Sequence, residues 1–330
     1  MNNNNSIVMK ENIFSISEEK RQHGLEIILK NNSTNEFLVI LPESGARVKE
    51  LWLSNGEEVI SVVKKIANVN SENRDDIFAN AKLSPFAGRI KDGKFTFNSA
   101  SHQLVKNYPE ENNACHGFVF DKKFVVTDKT VNEDSASCTL EYHYTGNFPG
   151  YPFAFTIEIT YKLTASDGLT CTTKINNLSD VLIPLSDGWH FYFDLGIKVD
   201  ELKLKTEISE MMELDAQMIP TGKKKKFTEF ITPTIVGSRH FDSCFKIKEN
   251  KKAVTQLLSE KRKIDLGIWQ ETGSEKYQYL VIYTPPDRRT IAVEPMTSNI
   301  NSFNNGEGLI TLAPQKSLEM SFGIFLNKIV

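Results

Sequence analysis

Alternation of apolar and polar side chains with a period of two residues constrains the fold of this chain more than any other feature. It is longest over Pro152–Leu163, where every second position is apolar: Phe153, Phe155, Ile157, Ile159, Tyr161 and Leu163. Successive side chains of a β-strand point to opposite faces, so the pattern predicts a long strand with one buried face. Thr139–Thr145 and Leu318–Leu326 alternate in the same way.

Shorter segments carry the same signal along the rest of the chain. They are Gly24–Leu29, Glu36–Leu41, Lys94–Asn98, Phe124–Asp128, Leu169–Ile175, Leu202–Lys205, Tyr279–Tyr283 and Thr290–Glu294. Helical periodicity is weak, and only Ser71–Ala81 is a candidate for a short helix. The sequence therefore predicts an all-β protein, built as a large sandwich or barrel with few short helices.

Two Asp-Gly pairs indicate tight turns between strands. Asp92-Gly93 lies between Arg89–Lys91 and Lys94–Phe97, and this arrangement predicts a hairpin. Asp167-Gly168 is expected to join the long strands on either side of it. No linker rich in Pro, Gly or Ser interrupts the chain, so we predict one domain over residues 11–330. The Asn-rich residues 1–10 are expected to form a disordered tail.

The composition is that of a globular protein with a full core. Of 330 residues, 40% are hydrophobic and 25% charged, and the net charge is −3. Proteins that bind nucleic acid usually present a basic face, so this charge argues against such a partner. No apolar run approaches the roughly 18 residues of a membrane-spanning helix, so no membrane partner is expected.

The N-terminus lacks the apolar stretch of a secretory signal, which leads us to expect the cytoplasm. The four cysteines are widely scattered and form no Cys/His pair at metal-binding spacing: Cys115, Cys138, Cys171 and Cys244. We therefore predict reduced thiols, with neither a disulfide framework nor a metal site.

A second constraint is the aromatic segment Gly188–Leu195, which contains a titratable histidine. Read as a strand, it places Trp189, Phe191, Phe193 and Leu195 on one face and His190, Tyr192 and Asp194 on the other. The aromatic face predicts an anchor in the core. His190 is then either a histidine with satisfied hydrogen bonds or an acid–base group, and this segment alone does not decide between them.

Glu294 stands on the polar face of Thr290–Pro295, opposite Ile291 and Val293. Pro295 cannot donate to a sheet ladder, so we expect Glu294 at or near the end of a strand. Apolar neighbours would raise its pKa by desolvation and make it a candidate general base near neutral pH. The alternative is an exposed carboxylate at a strand end.

Three further residues are candidates for contacts with a ligand. His116 precedes Gly117, and this pair suggests a turn where backbone and side chain can both approach a ligand. Arg89 can hold a hydroxyl or a developing oxyanion. Asp242, between aromatic residues, can accept hydrogen bonds from hydroxyl groups. His116 and Arg89 are also compatible with purely structural roles.

The run Lys223–Lys226 is either a phosphate-binding patch or, as is commoner, a solvated loop. Phosphate-loop and dinucleotide motifs are absent around Asn305–Gly308, which has two glycines without the required spacing. There is also no GxSxG nucleophile elbow.

Taken together, five stretches in the same order resemble the aldose 1-epimerase family and span most of the chain. They are Leu83–Phe95 (LSPFAGRIKDGKF), Cys115–Phe118 (CHGF), His190–Leu195 (HFYFDL), Phe241-Asp242, and Glu294–Thr297 (EPMT) continuing through Asn301–Leu309 (NSFNNGEGL). The last is the longest. The resemblance implies a large antiparallel β-sandwich of the galactose mutarotase-like type, with a concave sheet that holds a sugar.

The resemblance also implies roles for individual residues. Glu294 would be the general base and His190 the general acid, while Arg89, His116 and Asp242 would bind and orient the sugar. The implied reaction interconverts the α and β anomers of a free hexose such as galactose or glucose. It would need no cofactor and no metal, and the chain would be a monomer or a homodimer.

Two positions depart from the family pattern, and two other functions stay open. Gly88 stands where the family usually has Asn, and Phe191 where it usually has Pro; both departures bear on substrate preference. A hexose-6-phosphate 1-epimerase would need cations for the phosphate, which Lys223–Lys226 could supply. A non-catalytic sugar-binding or regulatory module would need no acid–base pair, so retention of both His190 and Glu294 argues against it.

Overall fold

The computed structural model describes residues 12–328, so the predicted tail over residues 1–10 lies outside the described part. In chain order the strands are β1 Phe14–Arg21, β2 Gly24–Asn31, β3 Phe37–Leu41, β4 Arg47–Ser54, β5 Val59–Ser61, β6 Ala81–Leu83, β7 Arg89–Ile90, β8 Lys94–Phe97, β9 Ala100–Gln103, β10 Ala114–Cys115, β11 Val125–Val131, β12 Ser135–Tyr144, β13 Phe155–Thr164 and β14 Gly168–Asn177. They continue as β15 Ile183–Leu185, β16 Gly188–His190, β17 Tyr192–Phe193, β18 Lys203–Lys205, β19 Ile208–Leu214, β20 Pro220–Lys226, β21 Thr234–Ile235, β22 Asp242–Ile247, β23 Lys252–Ser259, β24 Ile264–Glu271, β25 Tyr279–Tyr283, β26 Ile291–Met296, β27 Ile310–Leu312 and β28 Ser317–Lys328.

Helices are few and short, as the sequence predicted. They are α1 Arg74–Ile77 and α2 Ser302–Asn305, with 3-10 turns at Lys91–Gly93 and Val199–Glu201. The helix expected over Ser71–Ala81 is reduced to the single turn of α1. Asn80 ends this segment with a φ of +54°, and its side-chain amide donates to two carbonyls on neighbouring segments. The chain then enters β6.

The two largest sheets are both antiparallel. One has nine strands in the order β11-β12-β13-β14-β28-β24-β23-β18-β21. The other has eight, in the order β20-β19-β22-β25-β26-β16-β6 with β17 also paired to β26. A third sheet, β1-β2-β3-β4-β5, lies against strands of the nine-stranded sheet. The all-β fold class predicted from the alternation is confirmed, and so is the antiparallel pairing that the resemblance implies.

Aromatic side chains from the two large sheets form the interface between them. The Trp189 ring lies 5.4 Å from the Phe322 ring and 6.0 Å from the Tyr161 ring, centroid to centroid. Phe191 lies 5.4 Å from Phe322. One buried cluster has members from Phe14 to near the C-terminus, which supports the one-domain organisation; that organisation stays a prediction. The aromatic face predicted for Gly188–Leu195 is therefore the core face of this segment.

Of the two predicted Asp-Gly hairpins, one is confirmed and one is wrong. Asp167-Gly168 lies at the turn between β13 and β14, which pair as far as Thr164↔Gly168. At Asp92-Gly93 both residues have the positive φ of a hairpin turn, but β7 pairs with β10 and β8 with β9. Long-range partners override the local signal: the Asp92 N–H donates to the Asn113 side chain, and the Gly93 carbonyl accepts from the Leu104 N–H.

The lysine run Lys223–Lys226 is exposed, as expected for a solvated segment, but it lies on a strand and not in a loop. This strand, β20, is one edge of the eight-stranded sheet. Lys224 pairs with Glu307 at 2.8 Å.

Candidate active site

A pocket of about 230 Å³ opens on the face of the eight-stranded sheet that is turned away from the aromatic core. The five side chains selected from the sequence all line it: Arg89, His116, His190, Asp242 and Glu294. They come from β7, the turn after β10, β16, β22 and β26. The sheet therefore gathers residues that are far apart in the sequence into one small cavity.

Glu294 and His190 face each other across neighbouring strands. His190 Nε2 lies 3.4 Å from Glu294 Oε1. Glu294 is 1% exposed and His190 7%. Glu294 Oε2 and His190 Nδ1 are buried without a hydrogen-bond partner within residues 12–328. Buried polar atoms are usually satisfied, so these free atoms indicate a site that receives a polar ligand.

Glu294 lies near the end of its strand, as expected, although β26 continues through Pro295 to Met296. The Val293 N–H donates to the Phe191 carbonyl, so alternation turns the Pro295 nitrogen toward the same side. On that side the pairing of β26 is interrupted between Gly188↔Met296 and Tyr192↔Ala292, and Pro295 lies within this interruption. A proline is tolerated because no ladder bond is required at that point.

Burial sets the protonation of this pair. Burial, and to a lesser degree the neighbouring Asp242 carboxylate, raises the pKa of Glu294 well above its ordinary value. Burial lowers the pKa of His190 to about 3. Both shifts have the same origin, because a low-dielectric environment disfavours whichever form of a group is charged. The neutral combination, carboxylic acid with imidazole, is thereby favoured in the pocket.

His116 completes the histidine wall of the pocket. It follows β10 in a turn where His116 and Gly117 both have positive φ, +64° and +71°. Its ring meets the His190 ring edge-on, with centroids 5.2 Å apart. Burial first, and then the proximity of His190, lowers the pKa of His116 well below its usual range. His116 is thus a neutral hydrogen-bonding group, and its buried Nδ1 has no partner among the described residues.

Arg89 and Asp242 form a second pair of neighbouring side chains in the pocket wall. Arg89 Nη2 is 3.8 Å from Asp242 Oδ2, and the guanidinium carbon lies 5.6 Å from the Tyr108 ring centroid. The Asp242 side chain is 41% exposed, which places it at the mouth of the cavity. The pair therefore adds a hydrogen-bond donor, Arg89, and an acceptor, Asp242, to the pocket wall.

The sequence interpretation did not single out five polar side chains of the pocket wall: Asp75, Tyr108, Glu111, Tyr192 and Tyr283. Glu111 binds Arg89, with Arg89 Nε donating to Oε2 at 2.6 Å. Asp75, from α1, accepts a hydrogen bond from the Tyr192 hydroxyl at 3.0 Å, and Tyr283 lies beside them. Tyr192 alone had a signal, because it shares the polar face of the aromatic segment with His190.

Two other carboxylates near His190 in sequence do not contact its ring. Asp187 lies on the core side and pairs with Lys82. Asp194 accepts from the Gly196 N–H and lines a different cavity. The orientation of His190 therefore depends on its ring neighbours Tyr192 and His116, with the Tyr192 ring stacked at 4.8 Å.

The sequence was then compared with known protein families. A family model described as aldose 1-epimerase matches residues 26–324, nearly the whole chain. The chain belongs to the aldose 1-epimerase family. Its general class is therefore that of the sugar epimerases, which are isomerases.

Curated relatives of this epimerase are distant. An uncharacterized Escherichia coli protein, YihR, is 25% identical over 252 residues, which are 74% of this chain and 77% of that protein. An aldose 1-epimerase of Streptococcus thermophilus is 24% identical over 240 residues, covering 67% of this chain and 66% of that one.

Solved structures show the same galactose mutarotase-like fold. A galactose mutarotase-like protein from Clostridium acetobutylicum superposes with a TM-score of 0.82 at 24% identity, covering 96% of this chain and 99% of that one. Galactose 1-epimerase from Lactobacillus acidophilus gives a TM-score of 0.76 at 17% identity, covering 96% and 98%. At these identities the likeness establishes the fold, and the sandwich implied by the resemblance is confirmed.

The two departures from the family pattern have different structural consequences for this epimerase. Gly88 lines the pocket with a φ of +71°, and a Cβ added there would lie 3.3 Å from Ile300 Cγ1. Phe191 is fully buried and packs in the core, on the other side of the strand from the pocket. Gly88 is therefore the departure that alters the wall of the cavity.

Neither helix within residues 12–328 is long and apolar enough to span a bilayer. In the same range, no three His, Cys, Asp or Glu side chains are grouped in a way that could hold a metal ion. The cofactor-free reaction, the cytoplasmic location and the monomeric or dimeric state stay predictions.

Proposed function

We propose that this epimerase interconverts the α and β anomers of a free hexose, with Glu294 and His190 as the acid–base pair. The observation that carries the proposal is the 3.4 Å contact between His190 Nε2 and Glu294 Oε1 inside a pocket. In a pyranose the C1 hydroxyl oxygen and the ring oxygen are bonded to the same carbon. An acid and a base that serve these two oxygens must therefore lie close together.

The proposed reaction moves two protons and breaks one bond. The Glu294 carboxylate takes the proton of the C1 hydroxyl, and the C1–O1 bond becomes a carbonyl. The bond from C1 to the ring oxygen breaks, and its electron pair stays on that oxygen, which takes a proton from the His190 imidazolium. Rotation about C1–C2 presents the other carbonyl face, and the steps reverse to close the ring as the other anomer.

The acid–base pair holds the same number of protons before and after ring opening, and only the distribution between Glu294 and His190 changes. Ring opening begins with carboxylate and imidazolium and ends with carboxylic acid and imidazole. Burial raises the pKa of Glu294 and lowers that of His190, so the surroundings favour the second combination. This combination accompanies the open-chain sugar. The same preference holds before ring opening, so the reactive carboxylate and imidazolium form first, when the Glu294 proton passes to His190 across their 3.4 Å contact.

Size and charge favour a free monosaccharide over the alternatives. Sites for drug-sized ligands usually measure roughly 300–1,000 Å³, and about 230 Å³ suits a single sugar ring better. Lys223–Lys226, the run for which a sugar phosphate was considered as substrate, contributes no residue to the lining of the pocket. Arg89 does line the pocket, but it is already paired with Glu111.

Polarimetry tests the proposal. Freshly dissolved α-D-galactose and α-D-glucose, in a weakly catalytic buffer, should approach their equilibrium rotation faster with the protein than without it. Glu294→Gln and His190→Ala should each abolish most of the acceleration, whereas Glu260→Gln, the same chemical change at an exposed ion pair, should retain it.

Activity that survives Glu294→Gln would disprove the assigned base. If the protein accelerates the mutarotation of neither sugar, the free-hexose proposal fails, and the hexose 6-phosphates become the next substrates to test. If those also fail, calorimetric binding of galactose to the wild-type protein would indicate a binding module.

A further inference from the structure

Arg89 is held by a carboxylate that the acid–base mechanism does not use. Arg89 Nε donates to Glu111 Oε2 at 2.6 Å, and Nη2 donates to Oε1 at 3.4 Å. Two parallel bonds of this kind fix the plane of a guanidinium as well as its position. The Arg89 side chain is 11% exposed and that of Glu111 is 21%. The pair is therefore shielded from much of the solvent that weakens surface ion pairs.

The loop that carries Glu111 is itself fixed in place. Tyr108 and Asn113 exchange two backbone hydrogen bonds, both 3.0 Å long, which close the loop at its base. The side-chain amide of Gln217 donates to the Glu111 carbonyl at 3.1 Å, and the Asn113 amide donates back to the Gln217 carbonyl at 2.9 Å. These hydrogen bonds hold the loop in place and thereby fix the position of Glu111 relative to Arg89.

Carboxylates outnumber cations in the pocket wall. Among the described residues that line the cavity, Arg89 is the single Lys or Arg. The carboxyl groups in the same lining are Asp75, Glu111, Asp242 and Glu294. Even with Glu294 protonated, three carboxylates face one guanidinium. The cavity is small compared with the roughly 8–10 Å over which physiological salt screens charges, so an anionic ligand would meet this excess wherever its charge lay.

We propose that Glu111 determines specificity: it orients Arg89 toward sugar hydroxyl groups and neutralises its charge, so that the pocket takes uncharged sugars and rejects anionic ones. The inference rests on the proposed function and narrows its substrate class. Glu111 does this through Arg89, with no proton transfer of its own.

The test compares two sugars that share one ring and differ in charge, D-galactose and D-galacturonate. Polarimetry would give kcat/KM for both with the wild type and with Glu111→Gln, Glu111→Asp and Glu110→Gln. Glu110 does not line the pocket, so its variant controls for the loss of one negative charge from the same loop. Circular dichroism would check that each variant is folded.

The wild type should prefer galactose. Glu111→Gln removes the carboxylate bonded directly to Arg89 and makes the pocket wall less negative by one charge, so it should shift the kcat/KM ratio toward galacturonate by roughly tenfold or more, and added salt should reduce this shift. Glu111→Asp keeps the charge and loses the paired geometry, so it should keep the wild-type preference while raising KM for galactose. Glu110→Gln should leave the ratio unchanged.

Two results would overturn the inference: a wild type that prefers galacturonate, or a Glu111→Gln variant that loses activity equally on both sugars. The latter would mean that Glu111 only supports the loop. A wild type without activity on any sugar would instead count against the proposed function. Calorimetric Kd values for the same two sugars would then test the charge selection by itself.

Discussion

Lys82 and Asp187 form an ion pair whose side chains are both fully buried, directly behind the strand that carries His190. Lys82 lies on β6 opposite Trp189, with its ammonium group 4.5 Å from the Trp189 ring centroid. Burial lowers the pKa of Lys82 and raises that of Asp187, and the attraction between the two opposes both shifts. A buried pair of this kind is held in place by the cost of leaving either charge alone.

Removing one partner of this pair should therefore destabilise the protein more than removing both. Lys82→Met and Asp187→Leu should each lower the free energy of unfolding by about 3–5 kcal/mol. The double variant should lower the free energy of unfolding by less than either single variant, because it leaves no buried charge without a partner. Urea denaturation of the wild type, the two single variants and the double variant measures this coupling. If the two losses of unfolding free energy simply add in the double variant, the pair does not act as a unit.

The activity should not follow the titration of an ordinary imidazole. Adding a second proton to the acid–base pair requires protonation of His190, whose pKa is lowered to about 3, so kcat/KM should stay level as pH falls through 6.5. Loss of activity is expected on the alkaline side instead, where the pair loses its shared proton from Glu294. Polarimetry between pH 5 and 9, corrected for buffer catalysis, provides the profile. An acid limb centred near pH 6.5 would contradict this assignment.

Gly117 should be intolerant of any side chain. A Cβ there would lie 2.0 Å from the Ser84 carbonyl oxygen, and the backbone has a φ of +71°. Gly56 has a φ of +90° but no atom within 4 Å of its added Cβ. Gly56→Ala should then cost only the roughly 1–2 kcal/mol of left-handed backbone strain. Gly117→Ala should destabilise the protein measurably more than Gly56→Ala, as followed by thermal denaturation. It should also weaken sugar binding, because the change displaces His116. Equal costs would show that the loop adapts.

Arg89→Lys should weaken substrate binding although the charge is kept. Lysine cannot reproduce the two parallel bonds to Glu111 or the planar contact with Tyr108. We expect KM for the preferred hexose to rise by roughly tenfold, with a smaller change in kcat, as for an interaction present in ground and transition states alike. Arg239→Lys, at an exposed ion pair with Glu229, is the matched control. A fall confined to kcat would place Arg89 in the chemical step.

Features encoded by short-range periodicity were predictable from the sequence. The alternation in Gly188–Leu195 correctly separated Trp189, which lies in the core, from His190, which lies in the pocket. The family motifs selected five residues that the fold brings together in one cavity. Their chemical roles stay predictions.

Features that depend on long-range partners were not predictable. Glu111 contacts Arg89, which lies 22 positions away, and no periodic pattern connects the two residues. Asp75 belongs to a helix of four residues, too short to produce a periodic signal. The hairpin expected at Asp92-Gly93 failed for the same reason, since turn residues specify local dihedral angles and not the strand that will be paired.

The four lysines of β20 bear on how the eight-stranded sheet ends. An exposed edge strand offers unpaired N–H and carbonyl groups that another chain can extend into a continuous sheet. Lys223–Lys226 line this edge, and they repel any second edge of the same kind. The positive charges of the run would thus disfavour edge-to-edge association of two chains. Replacing the four lysines by uncharged residues should increase self-association without altering sugar turnover.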